Sequence, residues 1–262
     1  MALARRGLAK RDGVRLSFIE NDMPAQNQWL GPRRSLLWTR KHLYYKRLGM
    51  PFRTVRKLGD FLAVPYPAFW LKPSASHYID RKFRRWLVTD KLNFLTQMDL
   101  PKETYVAQTP MESDGQVWVM SLWDSRGQPA ILWYSTEQVH STHHPLEAAL
   151  DIAVAMIGRK LGLSRWMAFM EFCTRGNSVS FLDLNPRLPG DDDWHELVYA
   201  HLTGRGLGET IADLLAEDRL PPKIASSRLV TEAEWDGRPL LPNQIKWDFS
   251  DGYKQVPVMT FL

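Results

Sequence analysis

Two apolar runs, WMAFMEF (166–172) and VSFLDL (179–184), stand on either side of the polar stretch TRGNS (174–178). Such runs, joined by a glycine-containing turn, predict a β-hairpin. Glu171 lies on the first strand, and Asp183 and Asn185 lie on the second. Side chains alternate along a strand, so Asp183 and Asn185 share a face. Carboxylate and amide oxygens converging from neighbouring strands suit Mg²⁺, which takes one or two carboxylates together with substrate phosphates. Arg187 follows two residues later, where a fixed cation can meet a phosphoryl group. The competing reading is a plain core hairpin with solvated acids on its outer face.

The chain has 262 residues, 44% hydrophobic, enough for one or two globular domains with a real core. Its one cysteine, Cys173, excludes a disulfide framework and a cysteine-based zinc site. No apolar run approaches the roughly 18 residues that a membrane-spanning helix needs. The N-terminus, MALARRGLAKRDGVR, is basic but lacks the apolar stretch of a signal peptide, so a cytoplasmic location is expected. Charge is uneven: residues 1–57 carry 14 Lys/Arg against 3 Asp/Glu, a net of +11, within a chain of net +5. A basic N-terminal third implies an acidic partner or substrate, unless it is simply a solvated face.

Along the chain the patterns predict a short strand within 1–32, then a helix over Ser35–Leu48 with Leu36, Leu37, Leu43, Tyr44 and Leu48 as its apolar positions and Gly49 as its stop. A short helix at 57–62 and a buried strand at 65–71 follow, then a helix over 88–97 and a strand over 104–107 leading to Gln108. A hairpin is expected at 116–134 and the strongest helix at 145–161, with Leu146, Ala149, Leu150, Ala153, Ile157 and Leu161 as its stripe. After the 166–184 hairpin come helices at 193–202 and 209–217, with Asp193 as a candidate N-cap. One or two strands are expected in 220–262, around Asp236-Gly237. Mixed hairpins and helices indicate an α+β layering.

Several of these pieces, in this order, resemble the ATP-grasp superfamily. Its N-lobe pattern of helix, G-x-P, strand and K-P is similar to GMP (49–51) and YPAFWLKP (66–73). YVAQ (105–108) resembles the strand and hinge that hold adenine. QVWVMSLWDSRG (116–127) resembles the first C-lobe hairpin, and Glu171…Asp183-x-Asn185-Pro-Arg187 the metal-binding end, with the spacing of the biotin carboxylase-like members. The resemblance covers about residues 35–215. It implies two α/β lobes whose antiparallel sheets clasp a nucleotide: an N-lobe at 33–107 and a C-lobe at 108–262, preceded by a short basic segment, 1–32.

The resemblance assigns roles. Lys72 and a second cation, Lys82, would contact ATP phosphates; Gln108 would meet adenine; Gln116, or in its place Glu112, would take the ribose. Glu171, Asp183 and Asn185 would hold Mg²⁺, and Arg187 would stabilise an acyl-phosphate. The family also carries a lysine near the start of the helix before G-x-P; Arg40 and Lys41 both lie within one turn of that place, and the sequence does not choose between them. Two departures stand out. The phosphate loop here, Ser74-Ala-Ser-His-Tyr78, has no glycine, and only about 32 residues precede the module instead of a full α/β domain. The expected activity is an ADP-forming ligase that joins a carboxylate to an amine or thiol. Its acceptor site would be completed by the N-terminal segment, by an acidic carrier protein or nucleic acid, or by a second copy in a homo-oligomer. The alternative is a non-catalytic nucleotide-binding protein on a degenerate ATP-grasp fold; a basic nucleic-acid-binding protein rests on charge alone.

Overall fold

The computed structural model describes residues 40–75, 85–98, 103–136, 139–185, 192–224, 227–234, 239, 244–246 and 257–261. The basic segment 1–32 and the strand expected there lie outside them, as do residues 76–84 with Lys82, and Arg187.

The first elements are α1 (Lys41–Leu48), β1 (Arg53–Val55), α2 (Leu58–Leu62), β2 (Phe69–Pro73), β3 (Trp86–Val88), α3 (Lys91–Gln97) and β4 (Tyr105–Gln108). Their strands form an antiparallel four-stranded sheet in the order β1-β4-β2-β3. Next come β5 (Gly115–Trp123), β6 (Pro129–Ser135), β7 (Val139–Ser141), α4 (Glu147–Leu161), β8 (Trp166–Arg175) and β9 (Ser178–Asn185). The described chain continues with α5 (Asp192–Thr203), α6 (Leu207–Glu217), β10 (Arg228–Glu234), β11 (Gln244–Lys246) and β12 (Pro257–Phe261). These strands make an eight-stranded sheet, β11-β12-β10-β7-β6-β5-β8-β9, again antiparallel. The molecule is α+β.

Three apolar clusters hold these layers. Phe69, Leu71, Tyr105 and Ala107 pack with Val55 and Phe61 on one face of the small sheet. The alternate residues Trp70, Lys72, Val106 and Gln108 therefore share its other face. Val106 belongs to the cluster that joins Tyr44 and Tyr45 of α1 and Leu150, Val154 and Ile157 of α4 to Val117, Met170 and Leu184 of the large sheet. So Lys72 and Gln108 look from the small sheet toward the large one. A third cluster sets Val198, Tyr199, Leu202, Ile211 and Leu214 of α5 and α6 against Met120, Leu122, Trp133 and Phe169.

Helix α1 buries Lys41, Tyr44 and Tyr45 rather than the expected Leu43. Its C-terminus closes on Gly49 at φ 76°, a conformation that glycine alone adopts at little cost. Met50 N–H returns to Tyr45 O at 2.9 Å. At its other end Lys41 N–H donates to Ser74 O at 2.8 Å, and Arg40 bridges Ala75, which ties the helix start to the end of β2. The expected helix over 88–97 begins at Lys91, with Asp90 capping Leu92 and Asn93 N–H, because 86–88 pair with β2 as a strand. Among its described residues the tail forms three strands rather than one or two, β12 pairing with β10 and β11 with β12. Helix α5 starts at Asp192, one residue before the expected cap Asp193. Trp123 and Trp166, opposite each other on β5 and β8, are fully buried with no hydrogen-bond partner for either indole N–H.

Candidate functional site

Strands β8 and β9 pair with Glu171 directly opposite Asp183 and Phe169 opposite Asn185, and a bulge interrupts the register between Glu171 and Phe172. The pairing makes Asn185 the diagonal neighbour of Glu171, and its Nδ2 donates to Glu171 Oε1 at 3.3 Å. The three residues expected to act together are thus adjacent at the end of one hairpin.

Asp183 is the most enclosed of them, and its partners come from α1. Lys41 Nζ donates to both carboxylate oxygens at 2.6 Å. Tyr44 Oη donates to Oδ1, and Leu184 N–H reaches the same oxygen at 2.9 Å. Burial by itself would push the Asp183 carboxyl up; the charges of Lys41 and Lys72 and the hydrogen bonds from Lys41 and Tyr44 outweigh it and hold it below the ordinary carboxylate range. Glu171 goes the other way. Burial and the neighbouring Asp183 charge raise it, against the pull of Lys41, Lys72 and Arg85.

The small sheet contributes the opposite wall. Lys72 is 5% exposed and Gln108 3%, which is uncommon for such side chains without a task or a partner. Lys72 Nζ lies 3.4 Å from Gln108 Oε1. Tyr45 Oη donates to Leu182 O of β9 at 2.9 Å and also lies 3.4 Å from Gln108 Oε1, linking the two sheets. Burial lowers the Lys72 ammonium, while Asp183 and Glu171 pull it back up. Two carboxylates and two ammonium groups therefore share one enclosed space between the sheets.

No model of a known protein family matches the sequence, and no curated protein matches it. Solved structures do match. The chain is similar to N5-carboxyaminoimidazole ribonucleotide synthetase from Thermus thermophilus, with TM-score 0.63 and 15% identity over 93% of this chain and 75% of that one. It is similar to L-amino acid ligase from Bacillus licheniformis, with TM-score 0.60 and 14% identity over 99% of this chain and 78% of that one. Biotin carboxylase from Campylobacter jejuni, solved as a β-γ-ATP complex, matches at TM-score 0.63 and 12% identity over 94% of this chain and 70% of that one. The chain has the ATP-grasp fold.

Within this ATP-grasp fold, Lys72, Gln108, Glu171, Asp183 and Asn185 come together. Glu112 does not join them: it pairs with Arg175 at 2.7 Å in a largely exposed contact at the turn end of the hairpin. Arg175 is four residues from Glu171, roughly 13 Å along a strand. Gln116 is exposed, opposite Cys173 on β8. Ser74, first of the loop that lacks glycine, is engaged by His42, Nδ1 to Oγ 2.5 Å. Two residues that no motif assigned to the site, Tyr44 and Tyr45, enter it together with Lys41. Of the two basic candidates at the helix start, Lys41 pairs with Asp183 and Arg40 is exposed.

The donor set tests which metal could be held. Among the described residues no group of three His, Cys, Asp or Glu side chains closes around an ion. Two carboxylates and one amide, all hard oxygen donors, fit Mg²⁺ arriving with phosphate oxygens in its remaining positions. Among the described residues no helix is long and apolar enough to cross a membrane.

Proposed function

We propose that this protein is an ATP- and Mg²⁺-dependent ligase that activates a carboxylate as its acyl-phosphate and passes the acyl group to an amine or thiol, releasing ADP and phosphate. The supporting observation is the meeting of Lys72 and Gln108 from one sheet with Glu171, Asp183 and Asn185 from the other, in a space that balances two cations against two carboxylates. Mg²⁺ held by Glu171, Asp183 and Asn185 would neutralise charge on the transferring phosphoryl group. Lys72, and Lys41 once released from Asp183, would give point charges to the polyphosphate. Gln108, carrying both an acceptor and donors, would read the adenine edge. Arg187 and Lys82 keep the roles that the resemblance assigns them, the arginine beside the acyl-phosphate and the lysine on the ATP phosphates. Chemistry in such a site rests on positioning and charge neutralisation, with no covalent protein intermediate.

One observation favours a non-catalytic nucleotide-binding protein: Asp183 is already satisfied by Lys41 and Tyr44, as a retired metal ligand would be. Calorimetry with a non-hydrolysable ATP analogue and Mg²⁺, followed by ADP release against a panel of carboxylate and amine pairs, separates the two. Mg²⁺-dependent binding with substrate-stimulated ADP release is expected. Binding without release for any pair favours the non-catalytic protein, and no binding at millimolar nucleotide removes both.

A further inference from the structure

We propose that Lys41 is a built-in counter-ion that keeps free metal off Asp183 until a nucleotide arrives. The inference rests on the metal and nucleotide reading of the site given above. The Lys41 ammonium holds both Asp183 oxygens at 2.6 Å, the position where a cation bound to that carboxylate would sit. Tyr44 Oη and Leu184 N–H donate to the same carboxylate. Both partners are buried: Lys41 is 6% exposed and Asp183 9%.

Consider Mg²⁺ arriving alone. It must shed water, which it does reluctantly. It must also expel an ammonium from two charge-assisted hydrogen bonds. With Asp183 and Glu171 both holding the ion, neither carboxylate would be left for Lys41, a buried ammonium then without its partner. Lys72 adds a second positive charge to the same space. A polyphosphate changes the balance, because it offers the expelled ammonium an anion. Metal and nucleotide then help each other, and by linkage each raises the affinity of the other.

The geometry lets this happen without moving the fold. Lys41 opens α1, and its backbone is tied down through Lys41 N–H to Ser74 O at 2.8 Å and the Arg40–Ala75 bridge. Only the flexible four-carbon stem has to turn. In this role Lys41 acts on the metal through Asp183.

The test is calorimetric titration of Mg²⁺ alone, and of Mn²⁺ alone, into the wild-type chain and into Lys41→Met, with circular dichroism to check the fold. At least tenfold tighter metal binding is expected in Lys41→Met, and adding Asp183→Asn to it should abolish the gain. If Lys41→Met does not fold, Lys41→Gln, which keeps a donor to Asp183 but no charge, carries the same measurement. Equal metal affinity in wild type and variant overturns the counter-ion role. A separate titration of the wild type with Mg²⁺ and a non-hydrolysable ATP analogue distinguishes the causes. Binding there, with equal metal-alone affinities, sinks only the Lys41 proposal; no binding there sinks the ligase reading that underlies it.

Discussion

Asp183 and Asn185 sit two residues apart and should respond differently to substitution. Asp183→Asn removes the metal-facing charge and leaves the Lys41 ammonium buried without its partner. Breaking a buried pair in this way costs about 3–5 kcal/mol. That variant should lose turnover and show a lower urea midpoint. Asn185→Ala loses one 3.3 Å contact to Glu171 and should lose turnover with little change in the midpoint. Similar stability losses in both would mean that Asp183 is not charged in the folded protein. A second residue-scale expectation concerns His140, buried on β7 with Nδ1 2.8 Å from Ser135 Oγ. Burial pushes it down to about 4 from 6.5. A base with a lowered folded pKa contributes stability above its unfolded pKa and loses it as pH falls through the folded value. At about 1.4 kcal/mol per pH unit the protein should lose about 3 kcal/mol from this group between pH 6.5 and about 4. His140→Gln should flatten that part of the urea-midpoint profile; an unchanged slope would assign the acid lability to other groups. At this scale the hairpin residues are legible in the sequence because a two-residue period is local. Lys41 is not, since 142 residues separate it from Asp183. Its signals are partial: the resemblance places a lysine at Arg40 or Lys41 without choosing, and Lys41, Tyr44, Tyr45 and Leu48 fall at i, i+3, i+4 and i+7 on one helix face.

Among the elements, α4 carries an instructive conflict. Gly158 lies inside the helix, where alanine is favoured by about 1 kcal/mol on propensity alone. A Cβ there would clash with Trp123 Nε1 and come within 3.2 Å of its Cε2, and Trp123 is fully buried. Overpacking of that kind costs about 1–3 kcal/mol, so the clash should win and Gly158→Ala should destabilise. A higher midpoint in thermal or urea unfolding would show that the indole can move aside. The propensity argument alone predicts the opposite sign, because helix periodicity reports which side is apolar and not how close the facing strand comes. The same reason explains which elements escape sequence reading. Strands β3 and β7 are three residues each, too short to display a period, and exist because β2 and β6 offer them partners. Longer elements such as α4, β5 and the β8–β9 hairpin have enough repeats to be read directly.

For the whole molecule, the order of elements carries most of the recognisable information, and the pairing of distant strands carries almost none. Nothing local in Arg228–Glu234 says that it joins Val139–Ser141, since that pairing is decided by which edge the large sheet leaves open. A ligand gripped by both sheets should stabilise the folded chain as a unit. At a hundredfold excess over its dissociation constant a ligand adds about 2.7 kcal/mol. For a chain of this size that is a rise of roughly 5–10 °C in the unfolding midpoint. Mg²⁺ with a non-hydrolysable ATP analogue should produce it in the wild type and not in Asp183→Asn; a shift of the same size in the variant would locate nucleotide binding elsewhere. Helix α1 has one more consequence at this scale. Among the described residues strand β9 is the last on its side of the large sheet, and the backbone groups of an edge strand invite a strand from another molecule. Tyr45 takes up the Leu182 carbonyl on that border, and Tyr44 covers the Asp183–Leu184 step. The helix that carries Lys41 therefore also guards the sheet against self-association, so a lesion that loosens it should appear as aggregation.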